Sequence, residues 1–171
     1  MTDLQPVIAG NREAVEAFVA AARAIPASQW ELPRAPDKWS PRQVTEHVAL
    51  AYELSRAVLH HSFPGRAAPR LLRPLIRTLF LKPVLRSGRF GKGGKSPGPF
   101  RPTAAPEAVG PLTGRLQGAA AGFEADLLAR ANAGETTVDH PFFGELSLPD
   151  FLRLQMIHAR HHRRQLPGAA G

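Results

Sequence analysis

The chain has 171 residues, 22 of them basic and 14 acidic for a net charge of +8, and it contains no cysteine. That length suits a single domain, 1–171, with one sizeable core. The absence of cysteine excludes disulfides, thiolate metal ligands and a cysteine nucleophile, so any thiol chemistry needs a thiol from outside. The N-terminus has no basic stretch followed by an apolar run, and no apolar stretch approaches the roughly 18 residues of a membrane-spanning helix. A cytoplasmic protein with no membrane span is the expectation.

The first helix is predicted from about Asn11, as N-cap with Glu13 in the first turn, to Ile25, with Pro26 ending it. Val15, Phe18, Val19, Ala22 and Ile25 recur at helical spacing and form its buried stripe. A loop over 27–39, broken by Pro33 and Pro36, leads to a stronger start signal. Ser40 is the expected N-cap, Pro41 sits at N1, and Gln43 closes a capping box. This second helix runs to about His60 with Val44, His47, Val48, Ala51 and Val58 on its apolar face. Trp39 fits a hydrophobic staple on Val44.

The connection over 61–105 is irregular and rich in glycine and proline. It holds a short helix or helical pair over 71–85, apolar and basic together, interrupted by Pro74 and Pro83. A glycine-rich loop follows, with no P-loop spacing and no preceding strand. The third long helix is predicted from about Pro106 to Ala131, with Gly134 as its stop. A tight loop over 138–146 and a last helix complete the chain. That helix begins at Ser147, Asp150 completes its capping box, and Pro167-Gly168 stops it. With no convincing β-strand and four main helices, the fold class is all-α, a four-helix bundle with a long connection between helices two and three.

The positive charge is local. No acidic residue occurs between Glu53 and Glu107, while eleven basic residues do, from Arg56 to Arg101. Nucleic acid is the obvious partner for such a stretch. Against that reading, the stretch has few aromatics for stacking (Phe63, Phe80, Phe90 and Phe100) and shows no nucleic-acid-binding signature. Arg86, Arg89, Lys92 and Lys95, on or beside the glycine-rich loop, are candidate anion-binding residues, with a solvated surface loop as the other reading. The apolar and basic span over 71–85 also suits a membrane surface or a homodimer contact.

Seven histidines are present. His60, His61 and His140 fall at helix ends or in loops, and His161 points away from the face shared by His158 and His162. These two are four residues apart, one turn of helix on one face. That spacing alone leaves two readings, a metal-binding pair or a basic helix end favoured by the macrodipole. His47 falls on the inner face of helix two. Burying three imidazoles unsatisfied would cost several kcal/mol, which a metal ion would remove. Gln165, one turn past His162, is placed to hydrogen-bond beside the site. Glu46 points off the histidine face, so no protein general base is evident.

Three segments carry a resemblance. The run from Trp39 through Ser40, Gln43 and Val44 to His47 resembles the start of helix two in the DinB-like (YfiT-like) superfamily. His158, His162, Gln165 and Leu166 resemble its closing motif. The segment from His140 to Ser147 is similar to a lead-in found in one branch. The resemblance implies a bacterial four-helix bundle of up-down-down-up connectivity that holds a divalent metal, zinc, nickel or iron, on His47, His158 and His162. It further implies a metalloenzyme acting on a small-molecule substrate with an external low-molecular-weight thiol, as S-transferase or isomerase. The alternatives are a metal-dependent hydrolase and a non-catalytic metal-binding or stress-related bundle.

Overall fold

The computed structural model describes residues 4–91, 96, 98–105 and 107–169. Helix α1 spans Gln5–Arg23, starting earlier than expected. Pro6 lies in its first turn, where a missing N–H costs nothing. Asn11 is therefore not an N-cap but a fully buried residue of the helix interior. Its Nδ2 donates to Glu124 Oε1 at 2.9 Å, and its Oδ1 accepts from the Tyr52 hydroxyl at 2.6 Å. The stripe Val15, Phe18, Val19 and Ala22 is buried as the spacing predicts. The following segment, expected as a loop, contains the single turn α2 (Ala27–Trp30). The buried Trp30 indole there donates to the Glu107 carbonyl at 2.8 Å.

Helix α3 spans Pro41–Leu59 with both halves of the capping box formed. Gln43 N–H donates to Ser40 Oγ at 3.3 Å, and Ser40 N–H donates to Gln43 Oε1 at 3.0 Å. Beyond it, the segment over 70–87 is a continuous series of helical turns. A 3₁₀ turn (Arg70–Leu72) leads into α4 (Arg73–Ile76), a π turn (Arg77–Leu81) and α5 (Lys82–Ser87). The two prolines do not split it. Pro74 falls in the first turn of α4. Pro83 has no N–H and crowds the carbonyl four residues back, and the turn before it widens so that Lys82 N–H reaches Arg77 O. Leu81 is buried and anchors the segment.

Helix α6 spans Val109–Asn132, and the expected start at Pro106 lies outside the described residues. Past its end Gly134 has φ +85°, while its N–H reaches Ala131 O and Glu135 N–H reaches Arg130 O, both at 3.0 Å. The loop expected next is instead an antiparallel hairpin, β1 (Thr137–His140) and β2 (Gly144–Ser147), with His140 opposite Gly144. The physical reason is the three-residue connection Pro141-Phe142-Phe143 followed by Gly144 at φ +69°, the left-handed position such a hairpin requires. His140 is thus a buried strand residue rather than a loop residue. The alternation around it spans only four residues per strand, too little to stand out as a periodic pattern.

Helix α7 spans Leu148–Arg163, and its N-cap Ser147 accepts from Asp150 N–H at 3.2 Å. The fold is therefore mostly helical with one small sheet. Helix α3 packs on α6 and α1 on α7, with α1–α6 and α3–α7 contacts closing the arrangement around one cluster of buried side chains. The α3–α7 contact carries the histidines.

Candidate metal centre

His47 from α3 and His158 and His162 from α7 meet, each offering a ring nitrogen, and these atoms lie within 4.8 Å of one another. The His47 and His158 Nε2 atoms are 3.0 Å apart. The ring centroids of His162 lie 4.6 Å from that of His47 and 4.5 Å from that of His158. The helical spacing of the α7 pair is realised, and the capped start of α3 fixes the third ring two turns in. His161 is not one of the trio but is held beside it, its ring 5.0 Å from that of His162 and accepting from Gln165 Nε2 at 3.1 Å.

Two of the three tautomers follow from hydrogen bonding. A carbonyl oxygen only accepts, so His47 Nδ1 carries a hydrogen and donates to Phe100 O at 2.6 Å. His162 Nδ1 likewise donates to Gln165 Oε1 at 3.1 Å, which gives Gln165 the place expected of it beside the site. In both rings Nε2 is then the lone-pair nitrogen, and that of His47 faces His158 Nε2 at 3.0 Å. His158 Nδ1 is buried with no partner, as is Gln155 Oε1 one turn earlier on α7.

Burial keeps these rings neutral. Desolvation lowers the His47 pKa against the opposing Phe100 hydrogen bond. Desolvation, reinforced by the neighbouring imidazoles, holds His158 and His162 well below the usual histidine range. Neutral imidazoles with converging lone pairs are what a divalent cation requires. Zinc–nitrogen bonds of about 2.0–2.1 Å at tetrahedral angles place donor atoms about 3.3 Å apart, which the observed spacing brackets. The donor set therefore fits a divalent metal.

Sequence reasoning missed three neighbours of the trio. Trp39, expected as a helix staple, places its ring 4.8 Å from that of His47. Phe90 lies 5.5 Å from both His158 and His161. The Phe100 carbonyl belongs to a 3₁₀ turn (Gly98–Phe100) that is tied to α3 through Thr103. Glu46 Oε2 accepts Thr103 N–H at 3.1 Å, and its Oε1 accepts the Thr103 hydroxyl at 2.9 Å. Arg42 closes the network on Glu46 Oε2 at 2.7 Å and on the Thr103 carbonyl at 2.9 Å. Glu46 is off the histidine face as predicted, but it indirectly holds the carbonyl that orients His47. The paired Arg42 and Glu46, four apart on α3, were the only signal, and nothing in the sequence linked them to Thr103.

Arg86 and Arg89, proposed for anion binding, are exposed, and Lys92 and Lys95 lie outside the described residues. A cavity of about 580 Å³ lies elsewhere, between the 70–82 segment and the hairpin, and none of the three histidines lines it.

No curated protein and no solved structure matches the chain. A family model described as the DinB superfamily does match, over residues 11–166. That span contains all three histidines and every long helix for most or all of its length, and on this match the chain belongs to the DinB superfamily.

Proposed function

We propose that the protein is a divalent-metal-dependent member of the superfamily, with His47, His158 and His162 as the ligands and a low-molecular-weight thiol as co-substrate of an S-transferase or isomerase reaction. On this reading the chain is one domain, and α1, α3, α6 and α7 form the up-down-down-up four-helix bundle that the family resemblance implies. The observation that carries the metal is the convergence of three neutral imidazoles, two with their Nδ1 hydrogens directed outward to Phe100 O and Gln165 Oε1. A bound zinc, nickel or iron ion supplies Lewis acidity and, with only three protein ligands, leaves room for a substrate atom.

The chain's own residues supply the rest. Phe100 O and Gln165 fix the ring orientations of His47 and His162. Trp39 and Phe90 pack beside the rings. No carboxylate lies among the described residues of the trio, which favours a thiol co-substrate over carboxylate-assisted hydrolysis. Arg86 and Arg89, on either side of Ser87 and next to Phe90, are suited to the carboxylates that such thiols carry.

Elemental analysis of untagged protein purified without added metal tests the centre. Near-stoichiometric divalent metal is expected, lost in the double variant His158→Ala, His162→Ala. Full metal content in that variant overturns the ligand set. Turnover of electrophiles by the loaded protein with and without added thiol then separates the readings, since thiol-independent hydrolysis would favour the hydrolase.

A further inference from the structure

The segment over 70–87 is inside out. Its arginine side faces the protein. Arg73 donates to Ala68 O at 3.0 Å and to both Asp139 carboxylate oxygens at 3.0 and 3.1 Å, and Arg77 donates to Glu145 O at 2.8 Å. Its apolar side faces outward. Leu71 is 93% exposed, Leu72 48%, Leu75 55%, Leu79 59% and Phe80 64%. Among the described residues the only other large exposed hydrophobic is Leu32, so this is a concentrated stripe and not scatter. Leu81, on the opposite side, is buried and holds the segment in this orientation.

Cations bracket the stripe. Arg66 and Arg70 precede it, and Lys82, Arg86 and Arg89 follow it, all exposed. None of the five makes an ion pair among the described residues, and no acidic residue occurs from 54 to 106; Arg70 and Lys82 also border the cavity that Asp139 and Glu145 line, while Arg66, Arg86 and Arg89 do not. An apolar centre with cations at both ends is complementary to a planar anionic surface with an apolar interior. It is poorly suited to a second copy, because face-to-face pairing would bring two sets of unpaired cations together.

We propose that this face docks the protein on an anionic lipid bilayer, with Leu71, Leu75, Leu79 and Phe80 entering the acyl boundary and the flanking arginines and lysine at the phosphate headgroups. No helix among the described residues is long and apolar enough to cross a membrane, so the attachment is peripheral. It uses none of the three histidines, though Arg86 and Arg89 would serve either this surface or the thiol carboxylates.

Co-sedimentation of the full chain tests it. The vesicles are phosphatidylcholine alone, or phosphatidylcholine with about one third phosphatidylglycerol, at about 0.1 M salt. At least about tenfold stronger binding to the anionic vesicles is expected, weakening as salt rises. The variant Leu71→Ser, Leu75→Ser, Phe80→Ser should lose binding at an unchanged helical circular-dichroism spectrum. The variant Arg66→Gln, Arg70→Gln, Arg86→Gln should lose the preference for anionic vesicles. Absence of binding by the unmodified chain, or equal binding by the serine variant, overturns the proposal. So does a dimer in size-exclusion chromatography that the serine variant converts to monomer with no lipid binding in either form.

Discussion

Two regions of the molecule invert the usual arrangement of polarity, in opposite senses. At the α3–α7 contact three imidazoles, and on another side of α3 a buried Arg42–Glu46 pair, occupy positions where a helical core would place aliphatic side chains. Over 70–87, leucines and a phenylalanine occupy positions where solvent would select charges. The first inversion is almost fully compensated inside the chain, leaving His158 Nδ1 and Gln155 Oε1 as its unpartnered atoms. The second has no compensation within the described residues. Both cost stability as they stand, and each points to something outside the polypeptide, a cation in one case and a surface in the other.

The contrast can be broken most forcefully at Glu46. The substitution Glu46→Ala leaves Arg42 buried with Glu31, half exposed, as its remaining carboxylate partner, and it frees Thr103. Denaturant unfolding should show a loss of about 3–5 kcal/mol, the range for breaking a buried ion pair. Metal retention should fall with it, because the Phe100 carbonyl loses its tether. Unchanged metal affinity in the folded variant would show that Phe100 is held by other means.

An effect smaller per pH unit is expected from His140, a buried imidazole outside the trio. Desolvation, only partly offset by Asp139 and added to by Arg73, lowers its pKa to about 3. Its unfolded value is about 6.5. As pH falls through that interval the unfolded chain takes up the proton first, so the stability His140 contributes is complete above about pH 6.5 and declines toward pH 3. Stability measured across that window should fall about 1.4 kcal/mol per pH unit less steeply in His140→Phe than in the unmodified protein. Parallel slopes would mean the ring is solvated.

The smallest effect belongs to the other region. Replacing Leu71 and Leu75 by serine should change unfolding free energy by no more than about 0.5 kcal/mol per site, as for exposed positions without partners. A loss of several kcal/mol would place those side chains in the chain's own core and close the gap between the two regions.

Much of this was legible in the sequence wherever one residue type at one spacing carries one meaning. Ser40-Pro41 with Gln43 marked the start of α3, and the four-residue step from His158 to His162 marked one face of α7. What failed to show depended on distant partners. Asn11 has the chemistry of an N-cap, and only its burial against Tyr52 and Glu124 makes it a cross-link instead. His140 lay between residues suited equally to a loop and to a short hairpin, and the left-handed glycine decided between them. The Phe100 carbonyl carries no side-chain signature at all, so its role at His47 becomes visible only once the Glu46–Thr103 bonds are known.

The widened turn over 77–81 has a consequence for how this chain tolerates change in length. A π turn carries one residue more than an α turn, which rotates everything downstream by about 100° relative to an uninterrupted helix. That angular offset accompanies the inward turn of Leu81 while Leu79 and Phe80 stay outward, and it sets the direction in which α5 leaves. Losing Thr78, the one residue between Arg77 and Leu81 outside the stripe, would restore regular winding and turn the start of α5 by about 100°. The direction of the outer stripe relative to α5 is thus a matter of phase, not distance, and that one deletion would change it without removing a residue of the stripe or of the histidine trio.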